Sequence, residues 1–480
     1  MGSPLICRPI AGLAALWLSI VPTAALTAPL LSEADGRAIA AALLAGQDDG
    51  LSSSDVTGDV AQLAGGDALA ARAASARLSA AAVSFAAAAH GAIADPHDID
   101  PLFALRAPYD AQADFNSALG DGRLPAWAAG LARRDQSFRS LLKARQRYAA
   151  IAEKGGWPML DQGPSLALGA TGPTVATLRV RLSAEGFTSS PEHGPQQFDA
   201  GLASALGAFQ SAHGLPADGV LTPQTRAALN VPVAVRIATI DLNLERARWL
   251  PNPLPENRIE VDIANATAVV YEGQSQVLQM RTIVGDRRHK TPSLASKITA
   301  IVFDPPWIVP ESIASAELYP RERRSPGYLK RNGFHEIDGR LIQAPSDKSA
   351  LGYLKFDMAS PFGVYLHDTP TRDLFQKDSR WLSHGCIRVQ QPRALADLLL
   401  SPAGWTKEAI EAAVAAKRTR RVQLPVAFPV LIVYRTAAAH SDGVVEFRPD
   451  IYGWDKILDA ALERSTKTRR VTRATPTDGL

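Results

Sequence analysis

The pattern of hydrophobic and polar positions divides the chain into three parts, and the first part is helical. Residues 32–147 are rich in Ala and Leu, and Asp67 to His90 predicts one long helix because it contains no Pro and almost no β-branched residues. Two Asp-Pro pairs interrupt this pattern, and further helices are predicted over 124–131 and 137–153. We therefore expect a helical scaffold domain over residues 26–160, without a catalytic grouping of side chains.

The second part predicts three helices that are joined by Gly-rich turns. Its apolar positions recur at helical spacing from Val175, after Phe198 and again from Thr222 to Leu229. The segments that carry a family likeness are Leu178–Leu182, Phe198-Asp199, Phe209-Gln210, Gly214-Leu215, Asp218-Gly219, Thr225 and Leu229-Asn230. This stretch resembles the peptidoglycan-binding type 1 domain, and we assign it residues 161–235. The resemblance implies binding of peptidoglycan, with a role as a mere spacer left open.

The third part, from residue 237 onward, has the composition of β-strands. Runs rich in Val, Ile and Tyr and bounded by Pro, Gly and Asn predict strands over 259–263, 268–271, 277–284, 298–303 and 363–366. Helices are predicted after Pro392 and from Thr406 to Lys417. Residues 305–343 form a Pro-containing, basic insertion that is too long for an ordinary connection, so we expect a lid or functional loop there.

The first 25 residues have the three-part pattern of a secretory signal peptide. A charge at Arg8 precedes an apolar run from Ile10 to Val21, and small residues follow as far as Ala25. This run is shorter than the roughly 20 residues of a membrane-spanning helix. We expect cleavage before Leu26 and export of the mature chain, with an uncleaved anchor as the alternative. No other stretch approaches about 18 consecutive apolar residues, so no membrane span is expected after cleavage.

Composition narrows the classes of function. The chain has 480 residues with 51 basic and 48 acidic side chains, and a net charge of +3 gives no sign of a general nucleic-acid-binding surface. A hydrophobic fraction of 46% argues against wholesale disorder. Of two cysteines, Cys7 lies in the predicted signal peptide, which leaves Cys386 without an intramolecular disulfide partner. Such an exported thiol is either reactive or inert and buried.

The residues around Cys386 suit nucleophilic catalysis. His384 precedes the cysteine by two residues, His367 lies further upstream, and Gly385 stands directly before it. A free thiol is mostly protonated at pH 7, so we expect a nearby imidazole or positive charge to ionise it. Gly385 would let the backbone approach a substrate carbonyl, and the peptide N–H groups of Gly385 and Cys386 are candidates for an oxyanion hole.

His367 followed by Ser383-His384-Gly385-Cys386-Ile387-Arg388 resembles the signature of the L,D-transpeptidase catalytic domain, also called the YkuD domain. The likeness covers residues 236–455 and includes Asn243–Arg246, Arg248–Pro251, Val284-Gly285, Thr291-Pro292, Pro306–Pro310, Ala350–Gly352, Lys355-Phe356 and Tyr434–Ala437. With the parts ahead of it, the order is similar to the large YcbB-type L,D-transpeptidases of Gram-negative bacteria, whose insertion forms a lid. The expected fold is multidomain α+β, with a helical N-terminal scaffold, a three-helix peptidoglycan-binding domain and a mostly-β catalytic domain that carries the lid insertion.

The resemblance implies an acyl transfer that needs neither a metal nor another cofactor. Cys386 would attack the carbonyl of the L-centre of diaminopimelate in a tetrapeptide stem and expel D-Ala. An amine of a neighbouring stem would resolve the thioester into a 3-3 cross-link, and water would give L,D-carboxypeptidase activity. His367 would be the general base, oriented by the peptide carbonyl of Asp368, with His384 as the other candidate base.

The resemblance also implies roles for the neighbours of this pair. His384 and Gly385 would contribute to the oxyanion pocket, Ser383 and Arg388 would order the loop, and Tyr365 would line the substrate groove. The Asp368 side chain would either support a histidine or face solvent. Residues assigned to substrate binding are Tyr365, Asp368, Ser383 and Arg388.

The implied partner is periplasmic peptidoglycan, with other cell-wall enzymes as further candidate partners and carbapenems as the implied inhibitor class. Two alternatives stay open. One is a zinc peptidase, since His367, Asp368, His384 and Cys386 are all potential ligands, although no H-E-x-x-H helix is present. The other is a noncatalytic peptidoglycan-binding protein. The basic tail, residues 456–480, is expected to be disordered.

Overall fold

The computed structural model describes residues 30–46, 56–90, 93–105, 109–133 and 135–474, with side chains as far as residue 464. The predicted signal peptide lies outside these residues. The described residues form two compact units, one within 30–86 and 111–132 and the other within 87–110 and 133–474. The region predicted as scaffold, 26–160, is therefore divided between the two units.

The N-terminal elements are mostly helices, as the Ala- and Leu-rich composition predicts. Helix α1 begins with a capping box in which Ser32 and Asp35 exchange side-chain hydrogen bonds with the backbone. In chain order these elements are α1 Glu33–Ala45, α2 Thr57–Ala64, α3 Ala68–Ala89, α4 Pro96–Ile99, β1 Phe103–Ala104, α5 Ala111–Gly120, α6 Leu124–Leu131 and α7 Gln136–Glu153.

The predicted three-helix domain consists of α8 Pro173–Ala184, α9 Ala200–Ala212 and α10 Pro223–Leu229. Asp199 and Thr222 each accept a hydrogen bond from a backbone N–H of the following helix, which fixes where α9 and α10 begin. Apolar side chains such as Leu178 and Leu206 are completely buried between the helices. Helix α11, Val233–Arg248, leads from this domain into the β domain.

A buried ion pair at the C-terminal end of α8 is linked to α7 by a hydrogen bond. The guanidinium of Arg181 lies 2.6 Å from the carboxylate of Glu185, and both side chains are completely buried. The hydroxyl of Tyr148 donates to the same carboxylate at 2.8 Å, and Arg181 lies 3.9 Å from the ring centre of Trp157. The Glu185 carboxylate therefore has two polar partners in an apolar setting, and burial without them would be costly.

The third part folds into a closed β-sheet. Its strands are β2 Arg258–Asp262, β3 Thr267–Glu272, β4 Ser275–Gly285, β5 Ser293–Phe303, β6 Trp307–Ile308, β7 Phe334–Ile337, β8 Arg340–Gln343, β9 Leu354–Met358, β10 Leu366–His367, β11 Trp381–Ser383, β12 Ile387–Val389, β13 Arg420–Val433, β14 Ala437–Ala439 and β15 Val445–Phe447. The main sheet runs β1-β5-β13-β2-β3-β4-β12-β10-β9, β11 pairs with β4, and an additional pairing of β5 with β9 closes the ring. Branched side chains such as Ile259, Ile301 and Ile432 are completely buried in the enclosed core.

The predicted insertion is a small folded substructure. It contains α12 Glu311–Ile313, a π-helical segment Ala314–Leu318, α13 Tyr319–Arg324 and α14 Tyr328–Arg331. Its three strands form a separate sheet in the order β6-β8-β7. Five buried apolar side chains form its own core, namely Val309, Ala314, Leu318, Phe334 and Leu341.

The last helices are α15 Pro392–Leu400, α16 Lys407–Ala415 and α17 Trp454–Ala474. The expectation of a disordered tail from residue 456 is wrong as far as residue 474. Trp454 and Leu458 are completely buried and belong to the core of the β domain, and Trp454 Nε1 donates to Asp100 at 2.7 Å. These buried side chains fix the start of α17, a helix that the basic composition of the tail alone did not predict.

None of the described helices has by itself the length and apolarity needed to cross a membrane, and one pair, α10 with α11, reaches that threshold only together and with a bend of 76°.

The buried pair of α8 gives a stability prediction. Arg181→Met should lower the free energy of unfolding by about 3–5 kcal/mol, because it leaves the Glu185 carboxylate buried without its cation. The matched control is Arg393→Met, which removes an ion pair with Glu411 whose side chains are both about half exposed and should cost less than about 1 kcal/mol. Urea unfolding followed by circular dichroism measures both values, and similar costs for the two variants would contradict the assignment.

Candidate active site

Strand pairing places four of the predicted site residues on one face of the sheet. Strands β10 and β12 are parallel neighbours, and His367 pairs with Arg388. Paired residues and alternate residues share a face, so Tyr365 and Cys386, each two positions earlier, lie on the same face as His367 and Arg388. Strand spacing puts the Cα atoms of His367 and Cys386 about 8 Å apart across this diagonal. Their side chains therefore project into one region.

Cys386 is a partly buried free thiol. Its neighbour across the register of β10 and β12 is Tyr365. Burial raises the pKa of the thiol, and Tyr365 together with the positive charges of Lys355 and Arg388 counteracts part of that rise. The net direction is upward, so the resting thiol is protonated at neutral pH.

His367 is buried and held in one orientation. Its Nδ1 lies 2.5 Å from the peptide oxygen of Asp368, as the resemblance implied. Burial, followed by the positive charge of Arg388, lowers the pKa of the imidazole to about 3. A neutral ring that donates its Nδ1 proton to a carbonyl leaves Nε2 as a proton acceptor. The pair is therefore neutral at rest, in contrast to the ionised thiol that the sequence led us to expect.

The loop before Cys386 is fixed by its own hydrogen bonds. Ser383 Oγ donates to the peptide oxygen of Cys386 at 2.6 Å and accepts from the N–H of Gly385 at 3.2 Å. Thr291 Oγ1 donates to the peptide oxygen of Gly385 at 2.8 Å. Gly385 has φ +105°, and a Cβ there would lie 3.3 Å from the oxygen of Lys290, so glycine suits this position. Ser383 is buried and orders the loop, which leaves its hydroxyl unavailable to a substrate.

His384 points towards the insertion. Its Nε2 lies 2.5 Å from a carboxylate oxygen of Glu317, whose other oxygen contacts Arg321 at 3.2 Å. The ring of His289 lies 4.6 Å from that of His384, and Asp286 holds His289 Nδ1 at 3.1 Å. The side chain of His384 is thus engaged with a carboxylate, and His367 is the histidine that shares a face with Cys386.

The Asp368 side chain corrects an expectation, because it does not face solvent. It is buried, its carboxylate accepts from the N–H groups of Tyr353 and Thr369, and Arg372 lies 3.0 Å away. Gly352 packs against it at φ +59°, where a Cβ would come within 2.6 Å of a carboxylate oxygen. The buried Asp368 carboxylate therefore holds the backbone next to β10 in place by accepting these hydrogen bonds.

Arg388 also differs from its expected place in the loop. It lies on β12 beside His367, and its buried Nε finds no hydrogen-bond partner among the described residues. Its charge acts on both His367 and Cys386. It therefore contributes to the electrostatics of the pair and does not order the loop.

Lys355 was not predicted as a contributor to the site. Lys355 of β9 pairs with His367, and its Nζ lies 4.4 Å from the ring centre of Tyr365. Trp307, at the start of the insertion, also acts on Tyr365, because it lowers the pKa of the Tyr365 hydroxyl against the rise that burial causes. The segment Lys355-Phe356 was part of the family likeness, but only the strand register shows that the lysine faces the site.

Known proteins share these domains. The family model described as "L,D-transpeptidase catalytic domain" matches residues 256–427, and the model described as "Putative peptidoglycan binding domain" matches residues 171–229. A curated protein of Haemophilus influenzae, named "Putative L,D-transpeptidase", is 33% identical over 241 residues, which are 46% of this chain and 48% of that protein. The chain is thus matched over about half the length of this relative.

Solved structures give a weaker likeness. An L,D-transpeptidase of Xylanimonas cellulosilytica is 18% identical, with 57% of this chain and 98% of that chain covered and a TM-score of 0.18. One from Mycobacterium smegmatis is 16% identical, with 37% and 58% covered and a TM-score of 0.20. Scores this low add no argument, so the assignment rests on the sequence matches. On those matches, the chain contains a YkuD-family L,D-transpeptidase catalytic domain and, ahead of it, a domain of the peptidoglycan-binding type 1 family.

Proposed function

We propose that this protein is an L,D-transpeptidase that uses Cys386 as its nucleophile on peptidoglycan tetrapeptide stems. The observation that carries the proposal is the placement of a thiol and an oriented, neutral imidazole on one face of β10 and β12. This face lies within the residues that match the L,D-transpeptidase catalytic family. A neutral imidazole beside a protonated thiol can accept the proton as the sulfur attacks.

In the first half-reaction, the Cys386 sulfur bonds to the carbonyl carbon of the diaminopimelate L-centre while His367 Nε2 takes the thiol proton. The tetrahedral intermediate collapses when the bond to the D-Ala nitrogen breaks, and His367 returns the proton to that nitrogen. D-Ala leaves with its amine intact, and the stem remains as a thioester on Cys386.

In the second half-reaction, the side-chain amine of diaminopimelate on a neighbouring stem attacks the thioester. His367 takes a proton from this amine and delivers it to the departing sulfur, which restores the thiol and yields a 3-3 cross-link. Water in place of the amine would give the L,D-carboxypeptidase reaction.

The oxyanion of both intermediates needs a backbone donor. The N–H of Gly385 already donates to Ser383 Oγ, so we assign this role to the peptide N–H of Cys386 itself. Gly385 keeps the approach to the carbonyl open because it has no side chain. Tyr365 is a neighbour of Cys386 and its side chain is partly exposed, so it would border the substrate groove.

The order of the domains supports action on the cell wall. A peptidoglycan-binding family domain precedes the catalytic domain, and the helical region and insertion would agree with the YcbB-type arrangement that the sequence resemblance implied. We propose that the protein acts in the periplasm with peptidoglycan as its partner. The predicted signal peptide would deliver it there.

The zinc-peptidase alternative has little support from the site. Across the described parts of the chain, no three or more His, Cys, Asp or Glu side chains are grouped so that they could hold a metal ion. Two of its predicted ligands are engaged elsewhere, since Asp368 accepts backbone hydrogen bonds and His384 contacts Glu317. The noncatalytic alternative does not account for an oriented imidazole on the same face as a thiol.

We propose that the insertion acts as a lid over this site. Two of its side chains act on the site: Glu317 contacts His384, and Trp307 lowers the pKa of the Tyr365 hydroxyl. Both side chains would have to move for a bulky stem to enter. The lid is thus tied to the loop that carries the nucleophile.

The nucleophile gives the first functional prediction. Wild-type protein should gain the mass of one carbapenem and should release D-Ala from a tetrapeptide stem, whereas Cys386→Ala should fold and do neither. Intact-protein mass spectrometry and a D-Ala assay measure the two outcomes. A carbapenem adduct on Cys386→Ala would contradict the assignment.

The neutral pair gives a prediction on pH. Since burial raises the pKa of the Cys386 thiol, its alkylation by iodoacetamide should rise only in alkaline solution, with a midpoint above the ordinary value of about 8.5. Since His367 has a pKa of about 3, His367→Gln should leave this midpoint within about half a unit while abolishing D-Ala release. A reactivity plateau extending down to pH 5 that disappears in His367→Gln would instead show a thiolate–imidazolium pair.

The lid contact gives a prediction on dynamics. Glu317→Ala removes the partly exposed contact with His384, so opening of residues 311–331 should become up to about fivefold more frequent. Hydrogen–deuterium exchange with mass spectrometry measures this change. Glu311→Ala is the matched control because Glu311 bonds to Ser315 within the insertion. Equal exchange in the two variants would mean that the contact with His384 does not hold the lid.

A further inference from the structure

Lys355 lies on the same face as the thiol and the imidazole. Strand β9 runs antiparallel to β10 with Lys355 opposite His367, and β12 flanks β10 on the other side. The lysine Nζ lies 4.4 Å from the centre of the Tyr365 ring, and about a quarter of the side chain is exposed. The ammonium group therefore packs on the ring of Tyr365, which stands next to Cys386 in the register of β10 and β12.

The charge of Lys355 is only partly compensated. Its Nζ lies 2.8 Å from a carboxylate oxygen of Asp357, but the other oxygen of that carboxylate contacts Arg421 at 3.2 Å. Two cations thus share one anion, which leaves a net positive charge beside Tyr365. An ammonium over the face of an aromatic ring is attracted by the π electrons, and it makes the phenol hydroxyl a better hydrogen-bond donor.

We propose that Lys355 is a positioning residue of the site, which acts across the sheet and through Tyr365 to stabilise the negative charge that develops on the Cys386 sulfur. It does not need to touch the substrate. The proposal explains how a sulfur in a partly buried place, opposite a neutral imidazole, can still become an effective nucleophile. It rests on the proposed function only in treating Cys386 as the attacking group.

Other charged groups around Cys386 do not replace the lysine. Arg388 supplies a second positive charge from β12, while His367 on β10 is neutral. On the loop, His384 is engaged with the carboxylate of Glu317 from the insertion, which adds a negative charge on that side. Among the described residues, Lys355 and Arg388 are therefore the two cations that favour a thiolate at Cys386. Of these two, Lys355 packs on the ring of Tyr365.

The test is the pH dependence of Cys386 alkylation by iodoacetamide, followed at the Cys386 peptide by mass spectrometry so that Cys7 does not contribute. Lys355→Met should raise the midpoint of the profile by about half to one unit and slow alkylation at pH 7.5 about three- to tenfold. The plateau at high pH should stay unchanged, because every thiol is ionised there.

Three further variants separate charge from structure. Lys355→Arg should keep the wild-type midpoint, and Asp357→Asn should lower it, since the lysine then loses its anion. Lys297→Met is the matched control, because Lys297 is an exposed lysine on β5 of the same sheet. Opposite shifts for Lys355→Met and Asp357→Asn are the signature of an electrostatic role.

An unchanged midpoint in Lys355→Met would overturn the proposal, as would a lower plateau with the same midpoint, which would show a packing role alone. The readout needs no peptidoglycan. If wild-type protein fails to release D-Ala but the shifts appear, the proposed function fails and the role of Lys355 stands; if D-Ala is released and the shifts are missing, only the role of Lys355 fails.

Discussion

The parallel pairing of β10 with β12 is the constraint on which the site depends. It joins two segments that are distant in sequence and places His367 and Cys386 on one face. The closed sheet then surrounds this pairing with an apolar core, and burial drives the pKa of the thiol up and that of the imidazole down. Tyr365 and the cations Lys355 and Arg388 lower the pKa of the Cys386 thiol and so counteract part of this rise. The Cys386 thiol and the His367 imidazole are therefore both neutral before the reaction, and charges form on them only as the reaction proceeds.

Most of the secondary structure follows from sequence patterns, and the exceptions have physical causes. The predicted strand over 363–366 is reduced to Leu366–His367, because Gly363 adopts φ +67° in a turn. The longest strand, β13, was not predicted, since Pro425 and Pro429 argue against a central strand. Its pairing with β5 shifts register between Gln423 and Phe428, and this irregularity accommodates the first proline. Helix α17 was missed because its anchors lie at its start, ahead of a basic stretch.

The site was predictable where residues are adjacent in sequence and less so where strands bring them together. Ser383, Gly385 and Cys386 form one loop, so the motif indicated their grouping. The carbonyl that orients His367 belongs to the next residue, which local sequence also indicates. In contrast, Lys355 reaches the site through sheet register, and Glu317 reaches His384 through the fold of the insertion. Asp368 was misjudged because its burial depends on Tyr353 and Gly352, which lie on another segment.

The most direct test of the account is muropeptide analysis of tetrapeptide-rich sacculi after incubation with the purified protein. The account predicts that wild-type protein produces dimers linked between two diaminopimelate residues, and that sacculi treated with Cys386→Ala remain as they were. Cross-links of the same kind from the Cys386→Ala protein, or unchanged sacculi after treatment with active, folded wild-type protein that takes up a carbapenem, would contradict it.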